Sequence, residues 1–391
     1  MTPANPVFAS LGTNIFTAMS ALAVEHQAIN LGQGFPDLDG PETIRAAAAK
    51  ALLEGPNQYP PMRGCATLRQ ALSEHAEKFY GLGYDPESEV LVTSGATEAI
   101  ADCILALVGR GEEIVLIEPH YDSYRPICEA AGAVVKTMTL APPHWRLTEE
   151  ALTAAITPKT RAVLVNTPLN PIGRVFDEEE MRALARVLTN SNAVAICDEV
   201  YEHLTFDGRR HIPLATLPGM QGRVVRIGSA GKIFSLTGWK IGWVMGPLVL
   251  VEVIANVHQF VTFTTAPAQQ LGVAYGLRNE MDFPLALTKR LEENRDLLAE
   301  GLAEIGFTVL PSQGTYFLTA GIDSLLKKED GAIEKDRSFC ERMVREAGVA
   351  AIPLSSFFAA GTPDTYVRFA VCKQRAVLEA ALARLKAAFY G

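Results

Sequence analysis

The chain has 391 residues, with 44 acidic against 35 basic side chains and a formal net charge of -9. Its length predicts two domains, and a 48% hydrophobic content excludes global disorder. The acid excess, without any run of Lys or Arg, argues against a nucleic-acid or anionic-membrane surface.

The opening MTPANPVFAS has no basic segment followed by an apolar core, so no secretory signal is read there. No apolar stretch is expected to approach the roughly 18 uncharged residues of a membrane span. Residues 1–45 carry little periodicity. Apolar, β-branched runs then predict strands at Val90–Thr93, Glu113–Ile117, Ala133–Thr137, Ala162–Val165, Ala193–Cys197 and Val224–Ile227. Helical patterns at Thr97–Val108, Asp177–Leu188 and Leu248–Phe263 accompany them. That rhythm predicts a mainly parallel α/β sheet. From about residue 285 the pattern changes to a long amphipathic helix, Leu285–Ile305, and strands at Thr308–Leu310 and Tyr316–Thr319. A helix at Ser338–Glu346, apolar Val349–Pro353, a strand at Tyr366–Ala370 and a closing helix from Lys373 complete a smaller α+β unit. Six scattered cysteines form no C-x-x-C pair and read as reduced thiols in a cytoplasmic protein, not as a disulfide framework or zinc site.

In an open parallel sheet, ligands bind beyond the carboxyl ends of the strands. After Val90–Thr93 comes Ser94-Gly95-Ala96-Thr97-Glu98, a small-residue turn opening a helix. Such a turn suits a phosphate, and equally serves as an ordinary capped helix start. After Ala162–Val165, prolines flank Asn170; after Ala193–Cys197 stands Asp198, with Tyr201 three residues on. A carboxylate at a buried strand end needs a cation or donor, which a structural salt bridge would also provide. After Val224–Ile227 comes Gly228-Ser229-Ala230-Gly231-Lys232, and then Lys240. A lysine beside small residues can be desolvated into a nucleophilic amine. A P-loop would need glycine where Arg226 stands, and a hydrolase elbow would need it at Ile227. His203 lacks a partner at metal spacing and reads as an ordinary polar histidine; no metal site is expected. Phosphate turn, Asn, Asp with Tyr, and Lys in that order suit a phosphorylated pyridine aldehyde.

Longer segments carry a family likeness: INLGQGFPD (29–37), NQYPPMRGCATLRQAL (57–72), VTSGATEAI (92–100), NTPLNPIG (166–173), CDEVYEHL (197–204), SAGKIFSLTGWKIGW (229–243) and YVRFAV (366–371). With them the chain resembles the fold-type I, class I pyridoxal-phosphate aminotransferases. QGFPD, EPHYDSY, SAGKIFSLTGWK and AAIPLSSFF are similar to the branch of methionine aminotransferases and kynurenine–oxoacid transaminases, also called glutamine transaminase K. The resemblance implies a large cofactor domain, residues 46–284, with a mostly parallel seven-stranded sheet flanked by helices. Residues 1–45 with 285–391 would form the small domain and N-terminal arm.

By the same resemblance, Lys232 is the Schiff-base lysine of pyridoxal 5′-phosphate, and Asp198 pairs with the pyridine nitrogen. Tyr201 and Asn170 donate to the phenolic oxygen, and Tyr121 stacks on the ring. Gly95, Ala96, Thr97, Ser229 and Lys240 hold the phosphate, joined by Tyr59 from a neighbouring subunit, which implies a homodimer. Many family members have Arg where Lys240 stands. Arg368 clamps the substrate carboxylate, helped by Asn170 and the backbone of Gly34. HQFVTFTTAPAQ (258–269) lacks the second arginine of aspartate-specific relatives, and Phe16, Tyr121, Phe263 and Phe357 imply an apolar, aromatic pocket. Thr264 departs from the histidine of some kynurenine-active relatives. The expected activity is ping-pong transfer of an amino group from an apolar, sulfur-containing or aromatic amino acid to a 2-oxo acid. Three alternatives stand beside it: a cysteine-conjugate β-lyase, an aminotransferase for an acylated diaminopimelate, and a ligand-sensing regulator, for which no helix-turn-helix extension is seen.

Overall fold

Seven runs, six of them largely buried, line up as one sheet in the computed structural model, which describes residues 4–329 and 332–389. They are β1 (Val90–Thr93), β2 (Glu113–Glu118), β3 (Val134–Thr139), β4 (Thr160–Asn166), β5 (Val194–Asp198), β6 (Val224–Ser229) and β7 (Gly242–Met245). Their spatial order is β1-β7-β6-β5-β4-β2-β3, and only β7 runs antiparallel to its neighbours. Strands covered on both faces can be apolar throughout, and β1 and β2 have no exposed position. Alternate residues feed two cores: Leu91, Ile114, Leu116 and Ile196 pack under helices Ala96–Leu107 and Leu248–Val261, while Val90, Val92, Val115 and Val163 enter the other layer. Edge strand β3 is the most exposed of the seven.

Each expected strand is present within a few residues. The sequence reading missed β7, which begins at the end of the lysine motif, and helices Ile15–Glu25, Glu42–Glu54, Ala66–Tyr80 and Pro267–Asn279. Helix Glu178–Thr189 begins where Asp177 and Glu180 form a reciprocal capping box.

The carboxyl-terminal part has an antiparallel sheet of β8 (Thr308–Val309), β9 (Phe317–Gly321), β10 (Ile352–Pro353) and β11 (Tyr366–Ala370), in the order β10-β11-β9-β8. Helices Asp282–Ile305, Asp336–Ala347 and Arg375–Phe389 accompany it. Residues Ile29–Asn30 pair in parallel with Val349–Ala350, tying the first segment of the chain to this part. Within the expected arm and small domain, residues 1–3, 330–331 and 390–391 lie outside the described residues.

One expectation fails. Residues 1–24 carry no Asp, Glu, Lys or Arg, and Pro6–Glu25 is long and apolar enough to cross a membrane by length and composition. The fold interrupts that stretch: Pro6–Ser10 and Ile15–Glu25 are separate helices, and Asn14 caps the second by accepting the Phe16 N–H. At 1.5 Å per residue the second helix spans about 16 Å, against a bilayer core of about 30 Å.

Candidate active site

Sheet register brings the expected residues to one edge. Thr93 and Ser229 both stand opposite Gly242, Ile227 opposite Asp198, and Asp198 opposite Asn166. The loops beyond this edge and residues of the carboxyl-terminal part enclose a cavity of about 620 Å³. It is lined by Gly95, Ala96, Thr97, Tyr121, Asn170, Asp198, Tyr201, Ser229, Lys232, Lys240, Arg368, Gly34 and Phe16, all expected from the sequence.

At one end is the turn before helix Ala96–Leu107. Gly95 has φ +81°, and a side chain there would meet Lys240 Nζ at 3.2 Å. Its N–H donates to the Thr93 carbonyl at 2.8 Å. The free donors are the following N–H groups of the helix start. Gly242 lets β7 pass against this turn, because a Cβ there would lie 2.5 Å from the Gly95 carbonyl carbon. Lys240 itself sits in the left-handed region at φ +55°, uncommon for a side-chain-bearing residue. An ammonium beside a helix N-terminus makes an anion site.

At mid-cavity, Asp198 is 5% exposed and makes no ion pair among the described residues. One oxygen accepts the Tyr124 hydroxyl and the other the Val200 N–H at 3.3 Å. Burial raises its pKa against the opposing influence of Tyr124, Val200 and Lys232. The salt bridge that could have explained Asp198 belongs to its neighbours, since Arg226 pairs with Glu199 at 2.6 Å and Glu202 at 3.1 Å. Lys232 follows β6; its ammonium group lies 5.5 Å from the Tyr201 ring centre and 5.3 Å from that of Tyr316. Burial lowers its pKa, and the nearby charges of Arg368 and Lys240 lower it further. Asn166 locks this region, donating to the Asp198 carbonyl and accepting the Asn170 N–H, each at 2.8 Å.

At the far end Arg368, on β11, is 1% exposed. It donates to Asn170 Oδ1 at 3.0 Å and to the Gly32 carbonyl at 2.8 Å, and lies 3.9 Å above the Phe317 ring centre. Its Nε has no hydrogen-bond partner, and it forms no ion pair among the described residues. Burial lowers its pKa to about 10, which leaves it fully charged near neutrality.

Phe357 does not line the cavity; it is a buried support, 5.9 Å from Phe16 and 5.0 Å from Arg368. Tyr59 and Phe263 also lie off the cavity. They form an edge-to-face pair at 5.4 Å and are 83% and 37% exposed. Sequence reasoning assigned no role to Tyr124, to Asn166 or to a polar wall of Asn14, Thr17, Gln33 and Asp122. Gln33, Asp122, Tyr124 and Asn166 nonetheless stand inside the family-like segments INLGQGFPD, EPHYDSY and NTPLNPIG, whereas Asn14 and Thr17 lie in none. His203, set aside on sequence, meets His75 with 2.7 Å between their Nε2 atoms, and Glu202 lies beside them.

The sequence profile of aminotransferase class I and II matches residues 26–385. The chain belongs to that family. It is 45% identical over 384 residues to the probable N-succinyldiaminopimelate aminotransferase of Mycobacterium tuberculosis, covering 95% of both chains. It is 36% identical to kynurenine–oxoglutarate transaminase 1 of Rattus norvegicus, again covering 95% of both. A solved Escherichia coli structure for which a methionine aminotransferase function was identified superposes with a TM-score of 0.94 at 39% identity, covering 99% of this chain and all of that one. This transaminase is therefore a pyridoxal-phosphate enzyme with the α/β fold of its class. Its residues fit that cofactor: a buried amine, an unpaired buried carboxylate and a helix-start anion site share one cavity.

Proposed function

We propose that this transaminase acts on L-amino acids with uncharged apolar, sulfur-containing or aromatic side chains, the methionine, phenylalanine, kynurenine and glutamine class. The amino group passes to a 2-oxo acid in a ping-pong cycle. Arg368 carries the reading, as a buried guanidinium facing the cavity with no carboxylate partner among the described residues. A buried cation without a counter-ion is costly unless a ligand supplies one. The remaining cations on the cavity wall, Lys232 and Lys240, are engaged by the cofactor in this reading, and Asp122 on the wall repels a second substrate carboxylate.

In this reading Ala96, Thr97, Ser229 and Lys240 hold the cofactor phosphate, with Gly95 leaving room for it. Asp198 holds the pyridine nitrogen, Tyr201 and Asn170 serve the phenolic oxygen, and Tyr121 covers the ring. Bound pyridoxal phosphate supplies an electron sink for charge at the substrate α-carbon. Arg368, with Asn170 and the Gly34 backbone, orients the substrate by its carboxylate and so sets which α-carbon bond faces Lys232. Burial favours the neutral Lys232 amine, which accepts the α-proton at Nζ and later returns it. Phe16, backed by Phe357, forms one wall of the side-chain pocket, and Phe263, off its own cavity, contributes to the pocket of the neighbouring subunit.

Residues 46–284 serve as the cofactor domain, and 1–45 with 285–391 as the small one, a division supported by the Ile29–Asn30 pairing. The working unit is a homodimer: the exposed Tyr59–Phe263 pair, off its own cavity, reaches the partner's site. A cytoplasmic location is supported by the six free cysteines, five of them buried. A second reading, an acylated diaminopimelate substrate, draws on the Mycobacterium tuberculosis relative and on amide-binding capacity at Asn14, Thr17 and Gln33.

The test is a half-reaction. Holoenzyme mixed with L-methionine, without any 2-oxo acid, should lose its yellow cofactor absorbance stoichiometrically, and L-aspartate should act far more slowly. Conversion by N-succinyl-diaminopimelate but not by methionine would replace the first reading with the second.

A further inference from the structure

Helix Ala96–Leu107 carries Glu98 and Asp102 four residues apart, on one face. Their side chains are 9% and 0% exposed, and two buried like charges at this spacing repel unless a cation lies between them. His258 from helix Leu248–Val261 provides it. Its Nδ1 is 2.9 Å from Glu98 Oε1 and 3.5 Å from Asp102 Oδ2. Burial opposes charge on the imidazole, but the two carboxylates outweigh it and raise the pKa to about 9.

The second oxygen of Glu98, Oε2, accepts the N–H of Ser94, the residue before Gly95. Both Asp102 oxygens and His258 Nε2 have no hydrogen-bond partner. A buried charged cluster with unsatisfied atoms contributes little net stability, so burial alone does not account for it. Its contacts indicate a further role. On one side it grips the turn beside Lys240; on the other, the His258 carbonyl accepts the N–H groups of Thr262 at 3.1 Å and Phe263 at 2.8 Å. One imidazolium thus joins the helix-start anion site to the loop bearing the exposed Phe263.

Resting on the cofactor reading above, we propose that Glu98, braced by His258 and Asp102, is a positioning residue for phosphate. By fixing Ser94 it sets the turn from which the N–H groups of Ala96 and Thr97 face the anion. None of the three residues lines the cavity.

The experiment compares pyridoxamine 5′-phosphate with pyridoxamine, which has the same ring and amine but no phosphate. Both are titrated into full-length protein freed of cofactor, in wild type, Glu98→Gln, His258→Gln and the double variant. Each single variant should bind the phosphorylated ligand about tenfold more weakly and pyridoxamine within twofold of wild type, and the double variant should be no worse than either. Unchanged affinity for the phosphorylated ligand, or equal losses for both ligands, overturns the proposal. Asp102→Asn keeps the Glu98–His258 contact and serves if a variant fails to fold; it should show a smaller loss, about threefold, of the same phosphate-selective kind. An unchanged preference there overturns the proposal as well. A wild-type protein with no preference for the phosphorylated ligand would refute the cofactor placement itself, a distinct outcome from wild-type preference with unaffected variants.

Discussion

Replacing Arg368 by lysine keeps the charge and removes the fork. A guanidinium has five N–H donors. In Arg368 one from each Nη is used, on Asn170 Oδ1 and the Gly32 carbonyl, and Nε is unpartnered. Three donors remain, enough for a two-point grip on a carboxylate. A lysine has three donors in all; keeping Asn170 and Gly32 satisfied leaves it one. The loss is one charge-assisted hydrogen bond, about 1.5–3 kcal/mol, plus part of the stacking on Phe317 at 3.9 Å. A total of about 2–4 kcal/mol corresponds to a drop in kcat/KM of roughly 30- to 700-fold, at 1.4 kcal/mol per tenfold. The assay is stopped-flow loss of cofactor absorbance with L-methionine, against 3-(methylthio)propylamine, which lacks the carboxylate. Arg368→Lys should slow the amino acid by that factor and leave the amine within about threefold. A methionine loss below about fivefold, or equal losses for both donors, would refute the donor accounting.

Lys232→Ala should abolish turnover while retaining cofactor that dialysis can remove; wild-type rates in that variant would sink its assignment. The acid limb of stability should depend on His75, whose pKa burial lowers from 6.5 to about 4. Between those values the unfolded chain binds a proton that the folded one resists. Stability present above pH 6.5 is therefore lost as pH falls towards 4, by up to about 3 kcal/mol. His75→Gln should flatten the Tm profile across that window, and a limb as steep as wild type would show that the titrating group lies elsewhere.

The strand ends at the site were legible because β1, β4, β5 and β6 are dense apolar runs and chemistry-bearing residues close or follow them directly. Asp198 and Glu199 show where sequence falls short. Two adjacent carboxylates look alike in sequence, and only the position of Arg226 on the neighbouring strand shows which one is neutralised. Strand β7 has just four residues, begins with a glycine and follows the αL residue Lys240 closely, so no alternation announces it. Tyr124, His258 and the Asn14 wall act across long sequence separations, with Asn14 bonding Asp122 and His258 bonding Glu98. No local pattern records such contacts. The exposed Tyr59 and Phe263 show the complementary case, aromatic residues that a single chain leaves without a core.

The hydrogen bond from Arg368 to Gly32 closes a separation of 336 residues. At about 5–20 residues added per second, the ribosome needs roughly 17–67 s between making the acceptor and making the donor. Lys232, Asp198 and the phosphate turn are all synthesised before the arginine. In the proposed reading, the amine and the residues that hold the cofactor ring and phosphate are therefore all in the chain before the arginine that grips the substrate carboxylate. The residue that selects amino acids in that reading is among the last of the site to be synthesised, and termination short of residue 368 would leave a chain that carries the lysine without the arginine.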